Sequence, residues 1–401
     1  MAQIHSHLLE MRFFHMLKMN SSTKTPTESF RVLSLDGGGM RGTYTATYLD
    51  QVSTTFARRR SADALDIGAG FDLIVGTSTG GIIACALAAA VPLDKVVELY
   101  RKHGAAIFRR PMPTGVTGAM ADMYSRQTAL AAGESALREA LNAVLGKITV
   151  REIYEQRGIA LAINAVEMSQ HRAWVFKTPH FEGTNHRDDD YTLVDVCLAT
   201  TAAPIYRSMA AIDHPGGNGK GFHVFTDGGL WSNNPVLVGL IEALDVAAPD
   251  QAIEIFCLGT CPVPAGEQIS RTDVHRGLQE WKFGGDAAAL AIDAQQFAYD
   301  HMAKKLARHL DRSCTVLRFP SDKVPAALIP YLGLDDSRPE AIVALINQAR
   351  TDADMTNSMC AYRETNPDAA LICSLFESLP VRSDPPTKRR ARHSKIHTPT
   401  A

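Results

Sequence analysis

No stretch of this chain approaches the ~20 consecutive apolar residues needed to cross a bilayer; the apolar run Ala84–Val91 is too short. An excess of either charge is lacking too. Lys and Arg number 41 against 43 Asp and Glu, a net charge of −2, which argues against the strong field of a protein that binds nucleic-acid polymers. Paired cysteine spacings are missing. Cys85, Cys197, Cys257, Cys261, Cys314, Cys360 and Cys373 are odd in number and several lie in apolar runs, the usage expected of free thiols in a reducing cytosol. Cys257 and Cys261 have no second pair to complete a zinc site. No Gly-Lys-Ser/Thr closes a glycine loop, so a Walker phosphate site is excluded, and no internal repeat is visible.

What remains is an ordinary globular composition, 45% hydrophobic and 21% charged over 401 residues, with ample length for a large core. Residues 1–28 lack globular patterning and read as a flexible extension, without the apolar run of a signal peptide. Residues 29–380 alternate strand-like and helical patterns as one α/β domain, with a helical layer from about 266. Trp281–Leu310, with Gly284-Gly285 as a break point, and Arg338–Thr351 are expected helices, and Thr315–Phe319 a strand. Residues 381–401, with Lys388, Arg389, Arg390, Arg392 and Lys395, form a basic, disordered tail by composition.

Three loops carry chemistry. Gly76-Thr77-Ser78-Thr79-Gly80 joins the apolar run Phe71–Val75 to the apolar helical run Gly81–Ala90. That context makes G-x-S-x-G a nucleophile elbow. Gly76 and Gly80 permit the tight turn, and the helix N-terminus offers free N–H groups. The plain alternative is a βα turn holding a buried serine. Next, Phe30–Leu35 runs into Asp36-Gly37-Gly38-Gly39-Met40-Arg41-Gly42, then a helical pattern with Tyr44, Thr47, Tyr48, Gln51 and Val52 on one side. Successive glycines let amides converge on an anion, and Arg41 adds a permanent charge. The loop also matches the G-x-G-x-x-G dinucleotide fingerprint, but Asp63 and Asp66 lie in loop-like sequence where the acidic strand end should be. Third, Phe222–Thr226 delivers Asp227 at a strand end before Gly228 and Gly229. A surface turn is the plain reading of Asp-Gly-Gly, but an elbow serine needs a base.

These motifs, with the small-residue stretch Leu198–Pro204, occur in the order found in the patatin-like phospholipases, which the chain resembles over about 29–265, with a weaker echo to 380. The resemblance implies a three-layer α/β fold, with a mainly parallel sheet covered by helices on both faces. It implies acyl-ester hydrolysis of membrane phospholipids by a Ser–Asp dyad. Ser78 would be the nucleophile and Asp227 the base, with Gly37, Gly38 and Gly39 as oxyanion hole beside Arg41, and Gly76, Gly80 and Gly228 shaping the motifs. No cofactor or metal is required. Val32–Gly39 and Leu332–Asp336 look like the patatin-like effectors of bacterial anti-phage systems, in which a cyclic oligonucleotide switches on phospholipase activity. A cyclic dinucleotide activator, a cytoplasmic location at the inner face of the cell membrane, transient membrane-surface contact and a homo-oligomer fit that resemblance. The competing readings are a constitutive lipase and a nucleotide-binding module built on the glycine loop.

Other candidates are weaker. His214 and His223 could replace Asp227 as base, although neither ends an apolar strand. His171, His180 and His186 with Asp188–Asp190 lack metal-ligand spacing and read as a solvated loop. Ala105–Pro113 combines apolar residues with Arg109 and Arg110, suited to an anionic surface or to a plain helix end, and 115–127 could form a lid.

Overall fold

The structure is a computed structural model. It describes residues 28–109, 116–181, 183–215, 221–261, 269–277, 280–281, 285–320 and 324–382, with backbone alone at 116–124 and 288. The N-terminal extension up to residue 27, residues 110–113 of the basic-apolar stretch, and the basic tail beyond residue 382 lie outside the described residues.

Five strands run parallel: β1 (Phe30–Leu35), β2 (Leu73–Thr77), β3 (Ala160–Glu167), β7 (Ile253–Leu258) and β8 (Cys314–Arg318). They lie in the order β3-β2-β1-β7-β8. β1 and β2 are almost wholly buried, and strands covered on both faces read as continuous apolar runs. Two strands pair antiparallel with β3: β4 (Arg172–Lys177) and β6 (Phe222–Asp227). β5 (Ala210–Asp213) pairs antiparallel with β6 at the edge. The sheet is mixed and mostly parallel.

The register on β3 is what assembles the site. Asn164 pairs with Thr77, the residue before Ser78, and Ala165 pairs with Asp227. β6 therefore takes over where β2 ends, and two residues 149 positions apart leave the sheet side by side.

Helices cover both faces. On one side lie α1 (Gly42–Arg59), α2 (Thr79–Ala88), α3 (Leu93–Ile107), α4 (Val116–Leu145), α5 (Val150–Arg157) and α6 (Leu193–Thr200). α2 is apolar nearly all round, and all of its residues are buried, as such a helix must be. After Asp227 come α7 (Gly229–Ser232) and α8 (Val236–Val246). α8 packs Val236, Leu240 and Ala243 with Val32, Val75 and Ile255 on the opposite face. Three further helices complete the described chain: α9 (Gly285–Ala307), α10 (Pro339–Met359) and α11 (Pro367–Ser378).

α9 is described from Gly285, at the glycine pair read as a break point in the sequence, and one helix differs from the sequence expectation. α10 runs eight residues past Thr351, through a polar stretch of low helix propensity. That stretch is held by α1: Tyr44 Oη donates to Asp352 Oδ2 at 2.5 Å, and Tyr48 Oη bonds Thr356 Oγ1 at 2.7 Å. Tertiary contact overrides propensity there. Among the described residues, no helix is long and apolar enough to cross a membrane.

Candidate active site

Ser78 sits between β2 and α2 with φ 54° and ψ −124°, a conformation costly for a non-glycine residue. It is held there by its neighbours. The Ser78 amide donates to Thr200 Oγ1 at 2.8 Å, and Thr200 Oγ1 donates to the Asn164 carbonyl at 2.6 Å. The Asn164 side chain donates to Thr77 Oγ1, which donates to the Ser232 carbonyl at 2.6 Å. The turn also needs a bare glycine behind it. A Cβ on Gly80 would stand 2.2 Å from the Leu35 carbonyl oxygen.

Ser78 Oγ donates to Asp227 Oδ2 at 2.7 Å, and the other carboxylate oxygen accepts the Gly229 amide at 2.7 Å. Burial pushes the Asp227 carboxyl up to about 6, against the lowering effects of the Gly229 amide, the Ser78 hydroxyl and the Arg207 charge. A buried carboxylate with few donors is a stronger base than an exposed one.

The glycine loop lies across from this pair. Its carbonyls are tied down on one side. The Gly37 carbonyl accepts Asn233 Nδ2 at 3.3 Å and Thr260 Oγ1 at 3.0 Å. The Gly38 carbonyl accepts the Arg41 amide at 3.1 Å and Arg41 Nε at 3.4 Å. In a trans peptide the following N–H points the opposite way, so the Gly38 and Gly39 amides turn away from these anchors. Those amides and that of Thr79 donate to no acceptor among the described residues. The Gly37 amide is different: it donates to the Asn233 carbonyl at 2.9 Å. A committed N–H cannot also receive an oxyanion, so of the three glycines in the expected oxyanion hole Gly38 and Gly39 keep free amides. Gly39 has φ 56°, and a Cβ on it would stand 2.2 Å from the Leu334 carbonyl oxygen. That carbonyl accepts the Met40 amide at 2.8 Å.

Asp36, which starts the loop, is fully buried. Arg318 Nη1 meets its Oδ2 at 2.7 Å, and Arg318 also meets Asp300 at 2.8 Å. Gln296 Nε2 donates to Asp36 as well, at 3.1 Å. Burial raises the Asp36 carboxyl to about 6 despite Arg318. The glycine loop is thus anchored from β8 and α9.

Ser78, Asp227, Gly37, Gly38, Gly39 and Arg41 share one solvent-open cleft. Its walls include Ile82, Ile107, Phe108, Leu137 and Ile292, an apolar lining fit for a hydrocarbon chain. Ile107 and Phe108 close α3, the plain helix end among the two readings of Ala105–Pro113, and both line the cleft. Gly76, Gly80 and Gly228 support the turns from behind. Over 115–127, the lid candidate, the backbone from 116 onward belongs to α4.

The other candidates lie elsewhere. No histidine lines the cleft among the described residues. His223 Nδ1 faces Glu167 at 3.7 Å and its ring packs on Trp174 and His214. His180 bonds Thr178 and Glu242, and His186 bonds Asp189. Asp66 is taken by Arg157 at 2.8 Å. Sequence reasoning missed Asn164, Thr200, Asn233, Thr260, Arg207 and Leu334. Thr200 lay inside the small-residue stretch and Leu334 inside Leu332–Asp336, both already singled out; the rest carry no local signal.

A serine on a strand–helix elbow, bonded to a carboxylate and facing free amides, is the arrangement of an acyl hydrolase. The patatin-like phospholipase family model matches residues 33–240. The chain belongs to that family and is a lipid acyl hydrolase of the phospholipase A type. It is 34% identical over 284 residues to the cGAMP-activated phospholipase of Pseudomonas aeruginosa (strain BWHPSA011 / Pa011), covering 70% of this chain and 76% of that one. Proteins of the same name in Escherichia coli (strain TW11681) and Vibrio cholerae are 34% and 32% identical. Those matches cover 63% and 55% of this chain, and 66% and 59% of theirs.

Proposed function

We propose that this protein cleaves fatty-acyl esters of membrane phospholipids with a Ser78–Asp227 dyad, in the cytoplasm at the inner face of the cell membrane. A cyclic dinucleotide switches it on, in anti-phage defence. Residues 29–380 act as one catalytic unit. The observation that carries the reading is the 2.7 Å bond from Ser78 Oγ to a buried carboxylate, set against two uncommitted glycine amides.

Asp227 Oδ2 takes the hydroxyl proton as Ser78 Oγ attacks the ester carbonyl. The Gly38 and Gly39 amides receive the oxyanion, each such donor worth about 3 kcal/mol of barrier. Asp227 then gives its proton to the departing lysolipid alkoxide. It takes another from water, which attacks the acyl-enzyme, and returns that proton to Ser78 Oγ as the acyl–oxygen bond breaks and the fatty acid leaves. The gating half of the reading is supported by three relatives named as cGAMP-activated phospholipases.

The test is fatty acid released from phospholipid vesicles by the protein and by Ser78→Ala, with and without a panel of cyclic dinucleotides. Release that needs both Ser78 and one nucleotide is expected. Release without nucleotide removes the switch and leaves a constitutive lipase. No release under any condition returns the glycine loop to a nucleotide-binding role.

A further inference from the structure

Arg207 is a charged residue of the cleft that takes no part in the proton transfers of the dyad. It is 7% exposed and lines the cleft with Ser78 and Asp227. Its amide donates to the Ala203 carbonyl at 2.9 Å. Within that turn Ile205 is held at φ 74°, and its carbonyl accepts Arg126 Nη1 at 3.2 Å. The turn sends the Arg207 side chain inward.

A guanidinium carries five donors and keeps its charge at neutral pH. Arg41 in the glycine loop has only the Gly38 carbonyl, at 3.4 Å, but Arg157 is paired with Asp66, and Arg318 with Asp36 and Asp300. Arg207 differs from those two. Its Nε is buried with no hydrogen-bond partner, and the group makes no ion pair among the described residues. Asp227, Glu134 and Tyr100 act on it only at longer range. A buried unpaired cation is destabilising, so its persistence beside the reacting groups calls for an anion that arrives with the substrate.

We propose that Arg207 receives the phosphodiester of the substrate lipid and makes the enzyme select glycerophospholipids over neutral glycerides. This rests on the phospholipid reading above. The acyl ester to be cut lies at Ser78 and the glycine amides, while the phosphate sits on a neighbouring glycerol carbon, within reach of a second group in the same cleft. The planar fork of arginine matches two phosphate oxygens at once, and pairing would supply the buried guanidinium with the hydrogen-bonded anion it does not find among the described residues.

The experiment compares the full chain, Arg207→Gln and Arg207→Lys, with cyclic GMP–AMP present. The substrates are a phosphatidylglycerol and the diacylglycerol of the same acyl chains, in the same detergent micelles. For Arg207→Gln the phospholipid-to-diacylglycerol ratio of kcat/KM is expected to fall about 10- to 100-fold, mainly through KM. Arg207→Lys recovers part of it, and the Tm of Arg207→Gln stays at or above that of the parent. An unchanged ratio, whether or not both activities fall together, overturns the proposal while leaving the phospholipase reading intact. So does a lowered Tm with parallel loss on both substrates, which marks a structural role. A parent protein that releases fatty acid from neither substrate overturns both.

Discussion

Asp227 carries the sharpest consequences at the scale of single residues. Burial holds its carboxyl near 6, and in the proposed role of base it must be ionised to act. The kcat/KM profile is therefore expected to fall about tenfold per pH unit below about 6. A profile flat down to pH 4.5 would remove Asp227 from the role. The effect on stability has the opposite sense. The folded pKa lies above the unfolded value of about 3.9, so the native state holds the proton more tightly. The ionised carboxylate therefore costs stability above about pH 6, on the order of 3 kcal/mol, and the cost is relieved as pH falls toward 4. Asp227→Asn removes the buried charge and keeps the shape. It is expected to raise Tm while lowering kcat by about 10⁴-fold or more, as loss of a dyad member does. Calorimetry beside the ester assay checks both. The three motifs that carry Ser78, Asp227 and the glycines were legible in sequence because each needs special backbone at fixed spacing. Arg207 was not, since nothing about one arginine in a loop reports that its partners are absent.

At the scale of elements, the site depends on how β3 and the glycine loop are pinned. Thr200 on α6 reaches across to both the Ser78 amide and β3. Thr200→Val leaves two buried backbone groups without their partner, which costs about 1–3 kcal/mol each. A lower Tm and a fall in kcat larger than any change in KM are expected, because the loss relaxes the Ser78 turn and not the lipid-binding walls. Arg318→Met is harsher. It strands Asp36 as a buried unpaired carboxylate, for which breaking a buried pair typically costs about 3–5 kcal/mol. Urea unfolding measures it, and a loss below about 1 kcal/mol would mean that Asp36 becomes protonated and is tolerated. The strands and the elbow helix were readable as elements from their apolar runs. The end of α10 was not, because Tyr44 and Tyr48 supply its stability from more than 300 positions away.

At the scale of the whole molecule, the family match ends at residue 240, yet the described chain beyond it is bound into the site. β7 and β8 extend the sheet, Arg318 anchors Asp36, Leu334 braces Gly39, and α11 stacks Phe376 on Phe56 of α1 at 5.2 Å. A protein ending at residue 265 would expose the face of α1 that α10 and α11 cover. It is expected to be recovered as aggregate, without Ser78-dependent hydrolysis; a monodisperse, active product on size exclusion would show that the later helices are dispensable.

The sequence alone determined the alternation of strands and helices, the elbow, the glycine loop and the carboxylate at a strand end. Each is encoded locally, by hydrophobic period or by a glycine where a side chain cannot fit. The tertiary structure decided which amides stay free for an oxyanion and that Gly37 is not among them. It also decided that Asp227 meets Ser78 through adjacent positions on β3, and that Arg207 is buried without an ion pair among the described residues. Those are relations between residues far apart in the chain. They arise from strand register and from which hydrogen bonds the fold completes, and neither is written in any local stretch of residues.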